Sequence, residues 1–332
     1  MTSSDKFPVL DFTKFGSDFG EFSKEVYNAS NKWGFFVLTG HGISDLNSIY
    51  DLSNQFFSLP LEQKAEKSID KTLTGYDGAK LTTFAASEGI SFGLPAGGVL
   101  RTGNLPSWWD VRKRQQIEDF KSQCYELSMS LLSCFAVQLG LDRSFFARDH
   151  QHREPGNVLK LIKYPSFHRQ PEGVPRLSEH TDWGSITFVL TEKAGLEIRD
   201  PLDEWFDVPV VPGGVVVNIG DAMSLWSNQT LKSTMHRISW KNLNIHEDRL
   251  SVVYFTHPNN DAILLSPHTG SITEAERLTY REYLQIRSAF TYASTQEDGG
   301  EGEKFDEVDP AVLEKARKLN VANAGILESH KL

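Results

Sequence analysis

The chain has almost no cysteine: Cys124 and Cys134 are the only two among its 332 residues. A disulfide framework is excluded, and with it the expectation of a secreted, oxidising setting. Ile117, Phe120, Cys124, Leu127 and Leu131 recur at spacings of three and four, which places Cys124 on the buried stripe of a helix as a small apolar residue. Positive charge is also scarce. With 34 Lys and Arg against 44 Asp and Glu the formal net charge is -10, and no basic stripe interrupts it, so a nucleic-acid partner is excluded. No apolar run approaches the roughly 20 residues of a membrane-spanning helix. The start lacks the charged-then-apolar pattern of a signal peptide. The expected location is cytoplasmic.

What is present is the composition of a soluble globular protein, 39% hydrophobic, 11% aromatic and 23% charged. The patterns predict one domain over residues 1–295, mainly β with flanking α-helices, and no internal repeat. Its mixed, helical part spans 1–155. A short extended start at Phe7–Phe12 precedes a helix over 21–33, a buried strand over 34–38 and a second helix from Leu46 to Phe57. Between them Gly40-His41-Gly42 is a turn, and His41 is read as a turn residue. Residues 72–109 are glycine-rich and weakly periodic, with Phe92 among several aromatics; they are expected to line part of a substrate pocket. A long helix over 111–139 ends at Gly140, which can take the left-handed cap.

From Asn157 onward the pattern changes to short strands with turn signals, at 159–164, 184–190, 196–199, 208–211, 215–219, 233–240, 250–257 and 263–265. That spacing argues a sandwich or jelly-roll barrel over about 156–270. A helix over 273–292, with Tyr283, Ile286 and Phe290 at helical spacing, is expected to cap one mouth. Residues 296–332 read as a charged linker and a weakly docked tail. The last three residues, His330-Lys331-Leu332, match the Ser-Lys-Leu peroxisomal address at two of its three places, so the peroxisome joins the cytoplasm as an expected location.

Chemistry concentrates in three short stretches. His180-Thr181-Asp182 opens an alternating run, and residues two apart on an extended segment project from one face, so imidazole and carboxylate point into one pocket. His236 lies on a later strand-like run with Ile238 and Trp240. Two neutral imidazoles and one carboxylate form the facial triad, a ligand set that suits Fe(II) and leaves coordination positions open. Arg249 and Ser251 are again two apart, and Tyr164 ends an earlier strand; together these three offer donors to a carboxylate. Trp183 and Trp226 either stack on substrate or pack the barrel. Asn218-Ile-Gly-Asp221 reads as a strand end and turn, and His246, His257 and His268 as surface or turn residues.

These residues carry a resemblance. The sequences His180-Thr-Asp-Trp-Gly-Ser-Ile-Thr, Asn218-Ile-Gly-Asp221, Lys232-Ser233…His236-Arg237 and Arg249-Leu-Ser251 occur in this order in the Fe(II)- and 2-oxoglutarate-dependent dioxygenases of the isopenicillin N synthase-like branch, and the chain resembles that family over roughly its first 290 residues. The resemblance implies a double-stranded β-helix (jelly-roll) core. It also implies iron on His180, Asp182 and His236, and 2-oxoglutarate chelated to it with its far carboxylate on Arg249, Ser251 and Tyr164. O2 would be the oxidant, ascorbate a candidate reductant, and the substrate a free small molecule, with the protein a monomer. The activity implied is decarboxylation of 2-oxoglutarate to succinate and CO2 coupled to oxidation of that substrate. Ile162 stands where some relatives carry a polar cosubstrate contact, and Gln229-Thr230 replaces the usual glycine-containing turn, so cosubstrate affinity is open to variation.

Three other readings compete. An iron oxidase of the isopenicillin N synthase type shares Arg249 and Ser251 but consumes no 2-oxoglutarate. A zinc hydrolase on the same ligands needs a general base and gains nothing from the carboxylate clamp. A binding barrel without catalysis predicts no iron-dependent turnover.

Overall fold

A computed structural model describes residues 6–70, 72–78, 87–93, 104–151, 156–168, 175–265, 277–296 (side chains to 288), 309–312 and 315. Twelve strands in these segments form two sheets. The eight-stranded sheet runs in the order β1 (Val9–Asp11), β2 (Phe35–Thr39), β10 (Val215–Ile219), β7 (Ile186–Leu190), β12 (Arg249–Thr256), β5 (Val158–Tyr164), β4 (Glu88–Phe92) and β3 (Gly75–Asp77). The four-stranded sheet runs β6 (Leu177–His180), β11 (His236–Ile238), β8 (Leu196–Arg199) and β9 (Trp205–Asp207).

The period of two along the strands decides which face meets what. Val215, Val217, Phe188, Leu190, Val252 and Tyr254 point to one side of the large sheet, into a core shared with three helices. These are α2 (Phe19–Lys32), α3 (Leu46–Phe57) and α5 (Val111–Gln138). Phe35, Val37 and Val216 point to the other side and meet Leu196 and Ile198 of the small sheet. The two sheets thus face each other as a jelly roll backed by helices, the fold class expected. Arg249 and Ser251 alternate with Leu250 and Val252, which pack on the helical side, so the two polar side chains face the interior between the sheets. The long helix is stopped as its sequence suggests: Gly140 adopts φ +71° and Leu141 donates its amide to the Ala136 carbonyl at 2.9 Å.

Several segments depart from the pattern reading. Residues 208–211 are not a strand; the neighbouring strand is β9, at Trp205–Asp207, because Pro209 and Pro212 have no amide to give a ladder. Conversely, β3 and β4 lie inside the segment read as irregular, where short strands built around Gly75 and Gly89 leave no periodic signal. Only His236–Ile238 of the expected strand 233–240 is paired, and Ile263 forms an isolated bridge to Thr279. Three short helices, α1 (Lys14–Ser17), α4 (Leu61–Lys64) and α6 (Asp221–Trp226), were not legible.

The capping helix α7 spans Tyr280–Gln296 and starts on a reciprocal cap: Glu282 accepts the Thr279 amide at 2.8 Å and donates its own amide to the Thr279 hydroxyl at 3.2 Å. The tail meets this helix where it is described. Val312 is buried in the main core, and Lys315 pairs with Glu282 at 2.8 Å. Lys80, Arg101, His268, the Phe290 side chain and the His330-Lys331-Leu332 ending lie outside the described residues.

Candidate metal centre

His180 is the last residue of β6 and His236 the first of β11; the two are direct cross-strand partners, with ring centroids 4.2 Å apart. Asp182 is not on a strand. It sits in the turn between β6 and β7, so the shared-face reasoning holds for the convergence and not for the backbone state. Each imidazole lies 3.9 Å by its Nε2 from Asp182 Oδ1. Among the described residues this is the one trio of histidine, cysteine or acidic groups placed to share an ion, with its ligand atoms all within 4.8 Å of one another.

The hydrogen bonds around the trio fix which atoms are free. His180 Nδ1 lies 2.8 Å from the Ser178 carbonyl and His236 Nδ1 lies 3.1 Å from the Thr234 carbonyl. A carbonyl only accepts, so both rings carry their proton on Nδ1 and turn the Nε2 lone pair inward. Asp182 Oδ2 accepts from Asn218 Nδ2 at 2.7 Å, which leaves Oδ1 for the same interior point. Burial pushes the His236 imidazole down to about 4, helped by the neighbouring His180 ring. Burial alone would raise the Asp182 carboxyl, yet His236, His180 and the Asn218 and Thr187 hydrogen bonds outweigh it and hold the group below its ordinary value. Two neutral imidazoles and one carboxylate with convergent lone pairs are the donor set of a 2-His-1-carboxylate site, and atoms 3.9 Å apart can share an ion at bond lengths of about 2 Å. The residues fit a divalent metal.

Close backbone approach holds the turn in place. Asp221 donates its amide to the Asp182 carbonyl at 2.8 Å and Ala222 to the Gly184 carbonyl at 3.1 Å. A Cβ on Gly220 would stand 2.2 Å from the Gly184 oxygen, so only glycine lets the two segments meet. The glycine of Asn218-Ile-Gly-Asp221 therefore serves the Asp182 turn.

The second cluster lies on β12 and β5. Arg249 and Tyr164 are direct partners across these strands, and the guanidinium stands 5.6 Å from the phenol centroid. Arg249 donates to Ser251 Oγ and, at 3.1 Å, to the Ala194 carbonyl. All three residues are at most 4% exposed. Among the described residues no carboxylate pairs with Arg249. A buried guanidinium without a counter-ion is costly, and a ligand carboxylate would complete it. Arg176, which sequence reasoning passed over, covers the same phenol from 5.2 Å.

The aromatic candidates separate. Trp183 follows Asp182 directly, is half-buried and lies 5.6 Å from the Arg287 guanidinium. Phe92 is enclosed in the core against Trp109, with centroids 4.7 Å apart. Trp226 is packed edge-on against Phe146 and stacked on His150. The turn reading of His41 agrees with its bonds, Nε2 to the Gly213 carbonyl at 3.0 Å and Nδ1 accepting the Ile43 amide at 3.1 Å. His246 is exposed as expected. His257 lies in the turn after β12 but half-buried, bonded by Nδ1 to the Gly156 carbonyl at 2.9 Å.

His150 gave no signal in the sequence. Fully buried, it donates from Nδ1 to the Phe146 carbonyl and accepts at Nε2 from the Ser185 hydroxyl, each at 2.7 Å, and burial pulls it down to about 4. The unfolded chain protonates this histidine near its ordinary value, whereas the folded chain does not until about pH 4. Its contribution to stability is therefore intact above about pH 6.5 and falls as acid is added, by about 3 kcal/mol in total. Denaturant midpoints between pH 7 and 4 are expected to drop less steeply in His150→Gln than in the native protein.

Comparison with known proteins gives the same picture. Residues 156–258 match the family profile described as the 2OG-Fe(II) oxygenase superfamily, and residues 7–98 match the profile described as non-haem dioxygenase in morphine synthesis N-terminal. A proline hydroxylase of Petromyces alliaceus is 30% identical over 302 residues, 82% of this chain and 93% of that one. A 2-oxoglutarate-Fe(II) type oxidoreductase of Emericella nidulans is 31% identical, covering 77% of this chain and 80% of its own length. Among solved structures, a full-length Neurospora crassa protein in complex with alpha-KG and thymine superposes with a TM-score of 0.73 at 28% identity, covering 86% of this chain and 97% of that one. The chain belongs to the 2-oxoglutarate- and Fe(II)-dependent oxygenase superfamily and is a 2-oxoglutarate-dependent dioxygenase that uses Fe(II) as its metal and 2-oxoglutarate as its cosubstrate.

Proposed function

We propose that His180, Asp182 and His236 hold the iron, that Arg249, Ser251 and Tyr164 hold the far carboxylate of 2-oxoglutarate, and that the reaction is hydroxylation of a free small molecule. The observation that carries this reading is the inward convergence of His180 Nε2, His236 Nε2 and Asp182 Oδ1, each held by a hydrogen bond on its other side. The bound metal and cosubstrate would supply the coupled oxidation in which 2-oxoglutarate, O2 and a substrate C–H bond give succinate, CO2 and a C–OH bond.

The chain's own groups do the positioning. Arg249 presents a charged donor fork from a buried strand, already braced by Ala194 and Ser251, and recognises a carboxylate with two-point geometry. Trp183, adjoining the ligand turn, is the aromatic best placed to border the substrate. The substrate class is supported by two relatives, one a proline hydroxylase and one solved with thymine bound; both names point to small, ring-containing polar molecules. Every proposed ligand comes from one chain, so a monomer suffices.

The test needs no knowledge of the substrate. Protein supplied with Fe(II), O2 and 2-oxoglutarate is expected to release succinate slowly without added substrate, and Zn(II) is expected to support none. Iron bound tightly with no 2-oxoglutarate consumed under any candidate substrate would favour the oxidase reading.

A further inference from the structure

The ligand-bearing segments meet at a second, fully buried group. Asp221, the first residue of α6, is 0% exposed, yet it touches neither a proposed ligand side chain nor solvent. Its Oδ2 accepts from Thr181 Oγ1 at 3.0 Å, from the Tyr283 hydroxyl at 2.8 Å and pairs with Arg287 at 3.1 Å; its Oδ1 accepts from Ser233 Oγ at 2.5 Å. Thr181 stands between His180 and Asp182. Ser233 lies three residues before His236. Tyr283 and Arg287 belong to α7, and Arg287 also donates to Thr181 Oγ1 at 2.8 Å.

One carboxylate therefore joins the segment carrying two of the proposed ligands, the segment carrying the third, and the capping helix. A buried ion pair adds little net stability over an apolar replacement, and its best-attested use is to fix one arrangement among several. Here the arrangement fixed is the spacing of His180 and Asp182 against His236. We infer that Asp221 is a positioning residue for the metal centre, holding its two ligand segments in register and tying both to α7. This inference rests on the assignment of the metal to His180, Asp182 and His236.

Co(II) serves as the probe, because its visible bands report ligand geometry without turnover. Co(II) affinity by chelator competition, the band positions and the apoprotein melting temperature would be measured for the native protein, Asp221→Asn, Tyr283→Phe and Ser233→Ala. Asp221→Asn turns an acceptor towards groups that themselves donate, and outer-shell losses in metal sites cost about 10- to 100-fold in affinity. The expected result is a rise of at least tenfold in the Co(II) dissociation constant for Asp221→Asn, with shifted bands. For Tyr283→Phe and Ser233→Ala a rise of a few-fold is expected, with the apoprotein still folded. Should Asp221→Asn fail to fold, the other two variants carry the test. Lower melting temperatures with native Co(II) affinity and bands in every folded variant would overturn the inference and leave a purely structural brace. No Co(II) binding by the native protein would instead overturn the metal assignment beneath it.

Discussion

Asp182→Ala is expected to abolish Fe(II)-dependent succinate formation while leaving the chain folded. The carboxylate supplies the one anionic atom among the three convergent donors. Disturbing outer partners of such sites costs 10- to 100-fold, so deleting a direct donor should exceed about a hundredfold. Stability should change far less. Asp182 is buried, so its removal takes away a desolvation cost along with the Asn218 hydrogen bond; the Asn218 amide left without its partner accounts for about 1–3 kcal/mol. Circular dichroism and a melting scan check the fold, and a succinate assay checks the loss. Turnover within tenfold of native would move the iron away from this trio.

Arg249→Ala gives the second large effect, of a different kind. The guanidinium is 3% exposed and has no carboxylate partner among the described residues, so its role appears when an anion binds. Truncating one member of a buried, hydrogen-bonded charge pair costs about 2–5 kcal/mol, equivalent to a loss of 2-oxoglutarate affinity from about 30-fold to several thousandfold. The lost contact is at the far end of the cosubstrate from the reacting carbon. The 2-oxoglutarate KM should therefore rise by that factor, while kcat at saturation changes much less. Arg249→Lys keeps the charge without the planar fork and should fall between the two. Metal affinity should stay native in both variants, and equal losses of metal and cosubstrate binding would mean that Arg249 braces the fold instead.

What the sequence could and could not convey follows from separation along the chain. Arg249 and Ser251 were legible because they lie on one regular strand, where a spacing of two alone fixes a common face. His180 and Asp182 were legible for a less exact reason, since the strand ends between them and the turn brings the carboxylate back. Asp221 could be seen only as the end of a turn. Its partners at 181, 233, 283 and 287 come from three segments, and no local period connects them. Residues 208–211 looked like a strand from apolar content, which does not count amides; the prolines do. The jelly roll itself was readable because many short runs agree, and β3 and β4 escaped because a glycine at a pairing position contributes no hydrophobic beat.

The most direct measurement is the visible spectrum of the anaerobic protein loaded with Fe(II) and then with 2-oxoglutarate. A metal-to-ligand charge-transfer band that appears on adding 2-oxoglutarate to the native protein, and is missing in Asp182→Ala, is the expected result. Native protein that binds iron and shows no band at saturating 2-oxoglutarate would contradict chelation at His180, Asp182 and His236.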